Sequence, residues 1–188
     1  MAVIEAIATL ILEDDASSME FTSIPSTYEH LELHITNRGD GTTPMEHTLM
    51  RFGTGGGAVD TGSNYVNQYI KIKSNDTVLR PEAYTADYGI STTYTPSGGN
   101  WTGEPCYGFV RMTIMDYAHP NKIASMEIMC GAVFGGKYHY STDVSAIGFN
   151  NHGVWNNTGA IDRISFHTSG GGGVKRGSTF SLYGLRSS

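Results

Sequence analysis

The chain has 188 residues, with 24 Gly, 11 Tyr, only 16% charged residues and a formal net charge of -6. That mix is poor in helix formers and rich in strand and turn formers, and it is long enough to bury one full core without staples. An acidic chain with no basic cluster is badly suited to gripping phosphate backbones, so nucleic acid is not an expected partner.

Residues 2 to 13 read as the first strand. Ile4, Ala6, Ala8, Leu10 and Leu12 share one face, and Val3, Glu5, Ile7, Thr9 and Ile11 share the other, as in a strand covered on both sides. Its apolar run is interrupted by Glu5, is too short to cross a bilayer, and has no basic segment or cleavage site. Neither a signal peptide nor a membrane anchor is expected. After "EDDASS", Met19 and Phe21 alternate with Glu20 and Thr22. Leu31, Leu33 and Ile35 then alternate with Glu32, His34 and Thr36. The period of two marks half-buried strands, and Pro25 belongs at the corner between them because it donates no ladder hydrogen bond.

"NRGDGTTP" reads as a loop and "EHTLMRF" as a strand. "GTGGGAVDTGSN" reads as a flexible glycine-rich connection into "YVNQYIKIK", where Val66, Gln68, Ile70 and Ile72 oppose Tyr65, Asn67, Tyr69, Lys71 and Lys73. The polar stretch from 76 to 104 holds one strand near Tyr84 to Thr92 and the loop "TPSGGNWTGEP". The clearest hairpin follows. Gly108, Val110, Met112 and Ile114 share a face with Ala124, Met126, Ile128, Cys130, Ala132 and Phe134 across the loop "DYAHPN". Folding it places Cys106 and Cys130 on one face, at opposite or diagonal positions, and both are expected to remain thiols. Short strands follow near 137 to 140, 144 to 149, 160 to 167 and 178 to 185, the last two joined by a flexible "TSGGGGVKRG". About eight to eleven short strands, with no linker and no repeat, predict an all-β antiparallel sandwich of jelly-roll-like form, one domain over residues 1–188.

No motif carries chemistry. Arg38-Gly39-Asp40 spells an adhesion tripeptide, but Gly and Asp after a strand are ordinary turn residues. His30 and His34 lack an HExxH context, no G-x-S-x-G elbow occurs, and the two cysteines have no metal-ligand spacing. Neither an enzyme, a cofactor nor a metal is expected. Trp101 and Trp155, each beside Asn and Thr or Gly, are the candidate surface-contact residues for protein or carbohydrate. The competing reading is that each ring closes an end of the sandwich.

Three segments carry a resemblance. "FTSIPSTYEHLELHITNR", "RFGTGGGAVDTGSNYVNQY" and "IDRISFHTSGGGGVKRGSTFSLYGLR" resemble, in order and spacing, patterns of tailed-bacteriophage virion proteins. The second departs from the pattern by a longer loop after Arg51-Phe52. The resemblance implies a β-sandwich module of the capsid decoration (cement) or tail-fibre type, and a homotrimer located in the virion after assembly in the host cytoplasm. Its implied partner is the major capsid protein or another virion protein. The first strand begins by residue 3 and no heptad shaft is present, which favours decoration. A receptor-binding head that recognises host carbohydrate is the alternative.

Overall fold

The computed structural model describes residues 2–41, 45–73, 80–86, 89–97, 106–134, 145–169 and 171–187. They form twelve strands and, among the described residues, no helix. In chain order these are β1 (Ala2–Ile11), β2 (Met19–Phe21), β3 (His30–Asn37), β4 (Met45–Thr54), β5 (Tyr65–Lys73) and β6 (Arg80–Ala86). They are followed by β7 (Ile90–Pro96), β8 (Gly108–Met115), β9 (Ala124–Phe134), β10 (Ser145–Trp155), β11 (Ile161–Thr168) and β12 (Thr179–Ser187). All pairings are antiparallel, in an eight-stranded sheet ordered β1-β12-β3-β8-β9-β10-β5-β6 and a four-stranded sheet ordered β2-β11-β4-β7.

The pairings are nested. β1 pairs with β12, β2 with β11, β3 with β8 and β4 with β7, and successive pairs fall alternately in the two sheets. A long two-stranded ribbon rolled up in this way is a jelly roll. β5-β6 and β9-β10 are insertions in the ribbon, and they widen one sheet from four strands to eight.

The core lies between the sheets because the alternating apolar residues face inward. Leu31, Leu33 and Ile35 of β3, Met112 and Ile114 of β8, Met126 and Ile128 of β9, and Phe180 and Leu182 of β12 meet Met50, Phe52, Ile90, Ile164 and Phe166. The corner at Pro25 carries the chain from the small sheet to the large one, since β2 and β3 lie in different sheets. Ile24 N–H donates to Asp162 O (2.9 Å), and the Tyr117 hydroxyl donates to Pro25 O. Two glycines let layers approach. A Cβ on Gly153 would lie 2.9 Å from Ile90 of β7, and one on Gly184 would lie 2.3 Å from the Tyr28 ring.

Several boundaries differ from expectation. β10 has eleven residues and ends at Trp155; Gly148, Asn150, Asn151 and Gly153 dilute its alternation, so only a short strand was expected there. The single strand near Tyr84 to Thr92 is two strands, β6 and β7, in different sheets. The stretch 137 to 140 lies outside the described residues. Register also corrects the cysteine pairing. Val110 sits opposite Cys130 and Gly108 opposite Ala132, so Cys106 is displaced by about 13 Å along the strands at ~3.3 Å per residue. Both are free thiols.

Ile128 and Met112 face each other across β8 and β9, both fully buried, while Arg111, next to Met112 in β8, points outward. Ile128→Ala or Met112→Ala is expected to lower unfolding free energy by about 2–5 kcal/mol through lost transfer energy and a cavity. Arg111→Ala is expected to cost less than either, since Arg111 is exposed and His34 still partners the buried Glu32. Urea melts of the three variants check this.

Candidate protein-contact face

Trp155 is not a surface residue. Its side chain is 1% exposed and is among the largest fully buried side chains of the described residues. The indole lies near the Phe52 ring (centroids 5.4 Å apart) and stacks with Tyr65 at 6.5 Å. Nε1–H donates to Asp60 Oδ2 at 2.9 Å. Polar neighbours in the sequence suggested a loop, but the indole N–H needs only one buried acceptor to enter the core. Trp101 lies outside the described residues.

The glycine-rich connection before β5 is held in place and is no loose linker. Asp60 Oδ2 also accepts from Asn64 Nδ2 (2.8 Å), and Oδ1 accepts from Gly62 N–H (2.8 Å). Asp60 N–H donates to Phe52 O (2.7 Å), the Tyr65 hydroxyl donates to Asp60 O (2.8 Å), and Phe52 N–H donates to the same hydroxyl (3.1 Å). Burial pushes the Tyr65 hydroxyl up to about 12.

The glycine run before β12 is likewise a fastener. Val174 is fully buried and bridges both Ala16 and Gly39. Gly173 N–H donates to Asp40, and Lys175 Nζ donates to Asp15 at 2.7 Å. Arg38-Gly39-Asp40 is therefore built into this end of the sandwich. Gly39 is buried, its N–H donates to Pro96 O at 2.8 Å, and the tripeptide forms a turn, not a displayed adhesion loop.

The unusual surface is the outer face of the eight-stranded sheet. Phe109 is 55% exposed, Met129 59%, Ile70 46% and Val66 42%, with Met115 and, at the far edge, Ile4 and Ile11 also exposed. Arg111, Met129, Asn150 and Ile70 form one row across β8, β9, β10 and β5, with Phe109 diagonal to Met129. β5 is turned against its own hydropathy. It buries Tyr65, Asn67, Tyr69 and Lys71 and exposes Val66, Gln68 and Ile70. Asn67 Nδ2 donates to Gly89 O (3.4 Å), and Lys71 Nζ lies 5.9 Å from the centre of the Tyr69 ring. A one-residue slip would bury the aliphatic residues instead. The Asp60–Asn64–Tyr65 anchor fixes the observed register.

No protein-family model and no curated protein matches this sequence. Among the described residues no group of three or more His, Cys, Asp or Glu is placed to hold a metal ion.

Arg111 also belongs to a polar cluster on this face. Glu32 Oε1 bonds to His34 Nε2 (2.6 Å) and accepts from Arg111 Nε (3.1 Å). Burial opposes the charge on Glu32, but the Arg111 and His34 hydrogen bonds outweigh it and hold its pKa below the usual carboxylate value. The exposure of these apolar residues was not legible in the sequence, because alternation alone does not say whether the second face of a strand is covered. The available signal was the apolar content of the second face: Phe109 and Met115 in β8, Met129 in β9, Val66 and Ile70 in β5.

Two carboxyls away from the face titrate in opposite senses. At Asp60, burial raises the pKa, but hydrogen bonds from Trp155, Gly62 and Asn64 outweigh it and leave it lowered. Its stabilisation is present above the unfolded-state pKa and is lost as pH falls through the folded one. Glu46 is buried with Oε2 unpartnered; burial, with Asp40 nearby, raises its pKa. It therefore destabilises the fold once pH rises above the ordinary Glu value. Asp60→Asn is expected to cost about 1–3 kcal/mol at pH 7, a deficit that shrinks in acid. Glu46→Gln is expected to raise the melting temperature at pH 7 and lose that gain below the ordinary Glu pKa. Thermal melts across pH for both variants check the signs.

Proposed function

We propose that the chain is a structural component of a tailed-bacteriophage virion: a non-enzymatic capsid decoration protein that binds the major capsid protein as a homotrimer and stabilises the shell. The observation that carries this reading is the broad exposed apolar face, a surface suited to protein contact, on a closely knit β-sandwich. Isolated exposed apolar residues mean little, but several on one face of one sheet, here Phe109, Met129, Val66 and Ile70, mark an interaction surface.

The segments that resemble virion proteins support it further. They meet in space as the frame of the sandwich. The Tyr28 ring from the first lies on Gly184 from the third, and its hydroxyl donates to Glu5 (3.1 Å). Within the second, Phe52 and Tyr65 pack with ring centroids 6.3 Å apart. The resemblance thus falls on residues that shape a body. Burial of Trp155 removes one of the two aromatic contacts that motivated a carbohydrate-binding head. A trimer attached at three points gains from effective concentration, so modest contacts per subunit hold firmly. A protein that binds only the intact shell stabilises it by mass action.

Particles with and without the protein are expected to differ in thermal release of DNA, those lacking it releasing at lower temperature, while adsorption to host cells is unchanged. Unchanged release together with lost adsorption would instead identify a receptor-binding head.

A further inference from the structure

We infer that the outer face of the eight-stranded sheet, centred on Ile70, Phe109 and Met129, is buried against a second copy of this chain. The inference rests on the reading of the protein as an oligomeric structural component and names the face that holds its copies together. Three observations carry it. β5 keeps Asn67 and Lys71 inside while leaving Val66 and Ile70 in solvent. Exposed aliphatic residues opposite a buried face suit a strand that is covered on both sides.

The size is right. From β3 to β5 the face spans five strands and about seven residues, or roughly 24 Å by 24 Å at strand spacings of ~4.8 Å and ~3.4 Å per residue. That is on the order of 600 Å² of planar area, and side-chain relief brings its accessible area near the ~800 Å² that each partner contributes to a stable interface.

The charge also permits contact between copies. Arg111 is tied to Glu32 at 3.1 Å, and Glu127 is the exposed carboxylate of the neighbouring strand. A face carrying both signs around an apolar centre does not repel another copy of the chain, whichever surface of that copy it meets. A partner chosen by charge would need a face of one sign.

The test is the oligomeric state of the full chain at micromolar concentration, by native mass spectrometry and analytical ultracentrifugation. Wild type is expected to be oligomeric. The double variant Ile70→Glu/Met129→Glu is expected to dissociate at least about tenfold more readily, with the β-sheet circular dichroism of wild type. Ile70→Thr/Met129→Gln, polar but uncharged, decides the matter if the charged variant does not fold. Ser165→Glu, on the outer side of the small sheet, is expected to leave the oligomer intact. A monomeric wild type, an oligomer that survives both double variants, or equal loss in Ser165→Glu would each overturn the inference. Shell stabilisation is measured separately, so a true self-contact without capsid binding would remove the cement reading alone.

Discussion

The architecture depends on two slots filled by the end of the chain. β11 lies between β2 and β4, and β12 lies between β1 and β3. Neither sheet is continuous until these late strands pair with partners well over a hundred residues earlier. Sheets closed by such distant pairings are slow to assemble, because loop-closure entropy is spent before the contacts form. The turn that feeds β12 is correspondingly tied down. Val174 bridges Ala16 and Gly39, and Arg176 N–H donates to Asp15 at 2.8 Å. The chain's two halves are thus locked at one end by backbone bonds as well as by the core.

Register then determines what the outside looks like. Asp60 accepts hydrogen bonds from Trp155, Asn64 and Gly62, and so fixes where β5 begins beside β10. Once Tyr65 is placed under Trp155, alternation sends Val66 and Ile70 outward. Ile70 then lies in the row of Asn150, Met129 and Arg111, and Val66 in the row of Val154, Ser125 and Met115. A core aromatic cluster and a surface property are two faces of one constraint.

Much of the frame was legible in the sequence. The alternation of Leu31, Leu33 and Ile35, the corner at Pro25, and the hairpin with Met112 and Ile128 inside all read directly from a period of two. The extent of β10 did not, since Gly148, Asn150, Asn151 and Gly153 carry no alternating hydropathy. Its burial comes from neighbours on both sides. Trp155 was placed by an acceptor ninety-five residues away, Asp60, which no local pattern reveals. The glycine runs looked flexible because composition says nothing of the bonds that Asp40, Asp60 and Val174 supply. Which side of β5 faces in was open from sequence, as Tyr and Asn oppose Val and Ile with comparable claims.

The proposed interface covers the apolar outer face of the large sheet in the assembled protein. Methionine oxidation measures it most directly, because Met129 and the core residue Met112 lie on opposite faces of the same sheet. Dilute peroxide applied to the native protein, followed by peptide mass spectrometry, gives a rate for each. Met129 is expected to oxidise nearly as slowly as Met112 in the assembled protein, and at the rate of a free methionine once the protein is unfolded. Oxidation of Met129 at the free rate while the fold remains native would contradict it.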